Sequence, residues 1–231
     1  MFPLLRGDGP ALRIGHRGAA ALAPENTLDG FARAVAEGVD AIEFDVVGDQ
    51  IAHDVHTATG LSLDAALEFL ASTPALLQID LKTPGVEREL VAALRRHALL
   101  ERSVVSSFHA EALRALAALE PALPRLFTYP EDRLGVGRSR LLRPAVNASL
   151  FALRRLLPRR VPALLENAQA AGLTLHYLLV DARVVETCHA RGAAVWTWTP
   201  NEREEIARLD RLGTDAIITD DPRLFAGVLR T

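Results

Sequence analysis

The chain has 231 residues, 49% hydrophobic and 24% charged, the balance of a soluble globular protein with ample core and no bias toward disorder. Its 26 basic and 29 acidic residues are spread along the sequence and leave a net charge of −3, so no basic field exists for a nucleic-acid backbone, and nucleic acid is excluded as an expected partner. A single cysteine, Cys188, allows no internal disulfide, and no run approaches ~18 consecutive apolar residues, so the expectation is a reduced, cytoplasmic protein without stable membrane insertion.

In chain order, short apolar runs alternate with longer amphipathic stretches. A strand over 12–16 is followed by a helix over 27–37, a strand over 41–45 by a helix over 63–70, and a strand over 75–81 by a helix over 86–97. Strands over 103–107 and 125–129 flank a helix over 111–119. The segment 130–171 is too long for one return and is expected to hold a short helix and a longer one ending near Ala171. Strands over 173–178, 194–198 and 216–219 complete the set, with a helix over 202–212 before the last.

Eight such units predict an α/β fold, a (β/α)8 barrel occupying 1–231 as one domain, at a length close to the roughly 250 residues usual for that architecture. Gly38, Gly172, Gly192 and Gly213 stand between helical and strand runs, where left-handed caps are expected. The cluster Arg154, Arg155, Arg159 and Arg160 reads as a solvated helix end and loop and is assigned no role.

Catalytic groups of such a barrel stand at the C-terminal ends of its strands. Here the first run ends in His16-Arg17-Gly18, the second in Glu43-Phe44-Asp45 and the third in Asp80-Leu81-Lys82. Glu43 and Asp45, two apart on a strand, point to one side, and Asp80 and Lys82 repeat the spacing on the neighbouring strand. Three converging carboxylates repel one another unless a cation sits among them, and all-oxygen ligation favours Mg²⁺ or Ca²⁺. Those carboxylates, a divalent ion, Arg17, Lys82 and one phosphodiester together carry no net charge, so the site balances with an anion bound. Beyond the second strand, His53-Asp54 and His56 lie on an irregular loop or hairpin from which a second histidine reaches the site. Two imidazoles flanking a phosphodiester suit acid-base cleavage, one at the attacking oxygen and one at the leaving alcohol.

The ordered motifs His16-Arg17-Gly18, Pro24-Glu25-Asn26-Thr27, Glu43-Phe44-Asp45-Val46, His53-Asp54 and Asp80-Leu81-Lys82 resemble those of glycerophosphodiester phosphodiesterases, members of the phosphatidylinositol phosphodiesterase-like barrels. Trp198-Thr199-Pro200-Asn201 and the closing segment 212–220 extend the resemblance over about 14–222. The resemblance implies metal-dependent hydrolysis of a small-molecule glycerophosphodiester to glycerol 3-phosphate and an alcohol. It implies a metal on Glu43, Asp45 and Asp80, proton transfer by His16 and His53, a phosphate grip by Arg17 and Lys82, and a pocket wall from Trp198. In the mechanism it carries, a glycerol hydroxyl can attack phosphorus before water completes hydrolysis.

Three departures stand out. Asp80 occupies a position where most members carry Glu, as in related sphingomyelinase D-type phospholipases. The gap from Asp45 to His53 is short, which leaves His56 as an alternative second histidine. The insertion after the second strand is much reduced, so a more open site is expected. Lysophospholipase D-like or sphingomyelinase D-like activity, and a barrel that binds phosphate esters without turnover, are the competing readings.

Overall fold

The computed structural model describes residues 3–54, 60–131 and 143–229. Eight parallel strands close into a barrel: β1 (Leu12–Gly15), β2 (Ala41–Val47), β4 (Leu76–Leu81), β5 (Ser103–Ser107), β6 (Arg125–Tyr129), β7 (Gly172–His176), β8 (Ala194–Trp198) and β9 (Ala216–Thr219). Closure comes from β1, which pairs with β2 on one side and β9 on the other. The two-residue β3 (Gln50–Ile51) folds back antiparallel on β2 before the next helix begins at Leu63.

Among the described residues seven α-helices surround the barrel: α1 (Leu28–Ala36), α2 (Leu63–Ala71), α3 (Glu87–Arg96), α4 (Ala110–Leu119), α5 (Arg143–Ala168), α6 (Ala182–His189) and α7 (Arg203–Leu212). Thr27, Ser62 and Asp181 cap α1, α2 and α6 by accepting a backbone N–H, which satisfies donors the helices leave open. Among the described residues no helix is long and apolar enough to cross a membrane.

Both faces of every strand are covered, which is why the strands read as nearly continuous apolar runs. Outward residues such as Ile42, Phe44, Leu77, Ile79 and Val105 pack under α1 to α4, and Leu173, Leu175, Val195 and Ile217 pack under α5 to α7. Inward residues Ile14, Val104, Leu126, Trp196 and Ile218 fill the barrel and leave its C-terminal mouth to polar side chains.

The barrel's opposite end is closed by the N-terminal segment. Trp196 Nε1 donates to Leu4 O at 3.1 Å, and the Arg6 guanidinium, buried, donates to Asp210 Oδ1 at 2.9 Å and to the carbonyls of Gly9 and Thr214. Asp210→Ala strands that buried charge and is expected to lower stability by about 3–5 kcal/mol. Urea unfolding is the measurement, and a loss under about 1 kcal/mol would rule out a structural role for the pair.

Two expectations about the connections change. Gly38, Gly192 and Gly213 have the left-handed φ, but Gly172 opens β7 instead, and the left-handed residue after α5 is Gln169. Gly172 is needed for a different reason, since a Cβ there would lie 2.6 Å from Ala194 O. The arginines Arg154, Arg155, Arg159 and Arg160 lie within α5, far from its C-terminal end, and not on a loop.

Candidate active site

His16 and Arg17 follow the last residue of β1 and enter a tight turn in which Arg17 and Gly18 both have positive φ (49° and 88°). Gly18 also admits no side chain, because a Cβ would fall 2.5 Å from the Gly30 carbonyl carbon. This turn presses the start of α1 against β1 and aims Arg17 across the barrel mouth. Its guanidinium reaches Asp45 Oδ2 through Nε at 3.0 Å and Glu25 Oε2 through Nη1 at 2.9 Å.

The alternation of β2 and β4 puts Glu43, Asp45 and Asp80 inside, with Asp45 directly opposite Asp80 in register. All three are buried, and one oxygen from each lies within 4.8 Å of the others, a cluster able to hold a metal ion. Lys82 leaves β4 and turns its ammonium between Asp45 Oδ1, at 2.7 Å, and Asp80 Oδ2. Ser106 Oγ, from β5, donates to Asp80 Oδ1 at 2.7 Å.

Electrostatics divides the cluster. Burial, then the adjacent Asp45 charge, raises the Glu43 carboxyl to about 7. Burial acts the same way on Asp45, but Lys82 and Arg17 outweigh it and hold that carboxyl below its ordinary value. Lys82, buried but ringed by Asp80, Asp45 and Glu43, is held above its ordinary value. The donor set fits a hard divalent cation: three carboxylates, no sulfur or nitrogen, and a buried Asp45 Oδ1 that accepts no aligned hydrogen bond and faces the Lys82 ammonium.

His16 Nδ1 donates to Asp220 Oδ1 at 2.5 Å, which leaves Nε2 facing the acids, 3.9 Å from Glu43 Oε2. Burial would lower the His16 pKa, but Glu43 and the Asp220 hydrogen bond outweigh it, and it stands above the ordinary value. His53, half-buried beyond β3, has Nδ1 3.4 Å from Asp54 Oδ2. Burial and the nearby charges of Arg17 and Lys82 lower its pKa, which sets His53 within the field of the same cluster. His56 lies outside the described residues.

Trp198, the last residue of β8, stands at the same mouth. Its indole Nε1 donates to Thr174 O at 3.2 Å, and its ring meets Phe108 and His176 edge-on at 6.3 and 5.1 Å. Every predicted site residue described by the structure is therefore at the C-terminal end of the barrel.

Three residues join them without having been singled out. Asn26 donates to Asp45 Oδ2 and accepts from Asp45 N, Asp220 orients His16, and Asn201 Nδ2 donates to Asp220 Oδ2 at 2.5 Å. Asn26 and Asn201 stand inside quoted motifs, and Asp220 closes another. Their polar side chains next to apolar runs were the available signal.

Comparison with known proteins identifies the family and the fold. Residues 16–48 and 58–224 match the model of the glycerophosphoryl diester phosphodiesterase family. The chain is 26% identical to a glycerophosphodiester phosphodiesterase of Caldanaerobacter subterraneus subsp. tengcongensis, over 95% of this chain and 98% of that one. A crystal structure from Silicibacter pomeroyi, provisionally designated a glycerophosphoryl diester phosphodiesterase, superposes with a TM-score of 0.71 at 25% identity, covering 96% and 94% of the two chains. An Oleispira antarctica phosphodiesterase solved in complex with its product sn-glycerol-3-phosphate is similar in fold, with a TM-score of 0.70, 23% identity and coverage of 93% and 94%.

Proposed function

The chain belongs to the glycerophosphoryl diester phosphodiesterase family, and from that premise we propose that it hydrolyses glycerophosphodiesters to glycerol 3-phosphate and an alcohol by metal-dependent chemistry in which two histidines move the protons. The observation that carries this reading is the meeting of three buried carboxylates with Arg17, Lys82 and His16 at one barrel mouth. The product named for the Oleispira relative has the same chemistry.

Glu43, Asp45 and Asp80 would hold one divalent cation, Mg²⁺ or Ca²⁺, which when bound supplies Lewis-acid polarisation of a phosphoryl oxygen. Arg17 and Lys82 bind the phosphate anion and offset the charge that grows on its oxygens in the transition state. His16 and His53 exchange protons with the attacking and leaving oxygens, and Asp220 keeps His16 Nε2 turned toward them. Trp198, braced by Phe108 and His176, forms the apolar wall of the pocket and excludes water from one side.

A screen of metals against glycerophosphocholine and a lysophospholipid, read by glycerol 3-phosphate release, tests the reading. Release from the first with an added divalent ion is the expected result, and phosphate-ester binding with no release under any metal would overturn it. Arg17→Ala and Lys82→Ala are each expected to lower kcat/KM by about 10²-fold, because each removes a cation that offsets charge on the phosphate in the transition state, and Lys82→Ala is also expected to lower the melting temperature by leaving buried Asp45 and Asp80 without their ammonium partner. A large fall in melting temperature with kcat/KM unchanged would contradict that assignment.

A further inference from the structure

The long helix α5 has no counterpart among the other helices. Its 26 residues span about 39 Å, while the five-residue strands it joins span about 17 Å. Arg160 Nη1 lies 3.4 Å from the hydroxyl of Tyr129, the last residue of β6, so the helix before Arg160 continues past the rim on which the acid cluster stands. Leu150, Leu157 and Val161 bury one face of it in a cluster with Leu179 and Val180, just beyond β7.

The opposite face, at about 100° per residue, carries Phe151, Ala152, Arg155, Leu156 and Arg159, all exposed. Phe151 and Leu156, at 50% and 48%, are two of the four large hydrophobic residues exposed among those described. Arg155 and Arg159 form no ion pair with a described residue, and α5 has no acidic residue before Glu166. Arg154, held near Asp181 at 3.6 Å, lies over the Phe151 ring at 4.1 Å and braces it on the surface. In a chain of net charge −3 this is a local reversal of sign.

From these observations we propose that this face of α5 docks on the phosphate headgroups of an anionic lipid bilayer, bringing the barrel mouth beside the membrane surface. Apolar rings and aliphatic chains enter the acyl boundary while guanidinium groups engage lipid phosphates, the chemistry of an interfacial helix. A nucleic-acid backbone would use the arginines but leave Phe151 and Leu156 without a role. The docking rests on fold and surface chemistry and does not require the hydrolytic reading.

The test is co-sedimentation of the full chain with vesicles of phosphatidylcholine alone and of phosphatidylcholine mixed with phosphatidylserine, at low and high salt. Binding to the anionic vesicles, weakened by salt, is the expected result. It should fall about tenfold or more in the double variant R155E/R159E, and likewise in F151S/L156S. R155Q/R159Q, which removes the charge without reversing it, should fall by less and serves if the charge reversal fails to fold. Melting temperature and hydrolysis of a soluble glycerophosphodiester should be unchanged in each. No binding to anionic vesicles at low salt, or equal binding by the variants, overturns the proposal. So does self-association that F151S/L156S abolishes, which would assign the face to a second copy of the chain. Vesicle binding without any hydrolysis would leave the docking standing and remove the functional reading alone.

Discussion

Asp45→Asn is expected to lose divalent-cation binding and about 10³-fold or more in kcat/KM on a glycerophosphodiester. The substitution keeps the shape of the side chain and removes only its charge. That charge is fully buried and is shared by Arg17 Nε at 3.0 Å and Lys82 Nζ at 2.7 Å, while Asn26 fixes the carboxylate's orientation at 3.0 Å. Its loss would take one of the three proposed ligands from a divalent ion and leave Arg17 and Lys82 without their shared counter-charge, so metal affinity and turnover should fall together. Calorimetric titration of Mg²⁺ and Ca²⁺, beside steady-state kinetics, separates the parts. Unchanged metal affinity with lost activity would reduce Asp45 to an organiser of Arg17 and Lys82. Near-normal turnover would remove the three-carboxylate site altogether.

How much of this was legible in the sequence depended on how local the cause was. The strands 103–107, 125–129, 194–198 and 216–219 were read at their observed bounds, the last three because turn-forming residues such as Pro124, Pro130, Pro200 and Asp220 stand beside the run. The second strand runs two residues past its expected end at Asp45, through Val46 to Val47, because β3 pairs back on it. β7, expected to reach Leu178, stops at His176, since Tyr177–Leu179 tighten into a 3-10 turn although they remain apolar.

The site followed the same division. Glu43, Asp45, Asp80 and Lys82 announced themselves by a period of two on adjacent strands. Asp220 did not, because its partner His16 is 204 residues away in sequence and they meet only when β9 closes against β1. Asn26 was hidden for a related reason: its φ of 57° and its grip on Asp45 belong to a turn whose shape no residue period encodes.

The second large effect is expected at that long-range pair. His16→Ala and His53→Ala should each lower kcat by about 100-fold or more, as removal of an acid-base group does. Asp220→Asn should cost about 10–100-fold, because the carboxylate that fixes the His16 tautomer and ring orientation becomes a neutral amide. A structural role for Asp220 would stop there, but an orienting role has a further signature in pH. The Asp220 hydrogen bond helps to hold the His16 pKa above its ordinary value, so removing the charge lowers that pKa. The limb of the pH-rate profile that belongs to His16 should therefore move to lower pH in Asp220→Asn, while the other limb stays, and Asn201→Ala should move it the same way by less, since Asn201 clamps Asp220 Oδ2. A profile unmoved in Asp220→Asn would separate Asp220 from the reaction. Full activity in His53→Ala, with loss in His56→Ala, would pass the second proton transfer to His56.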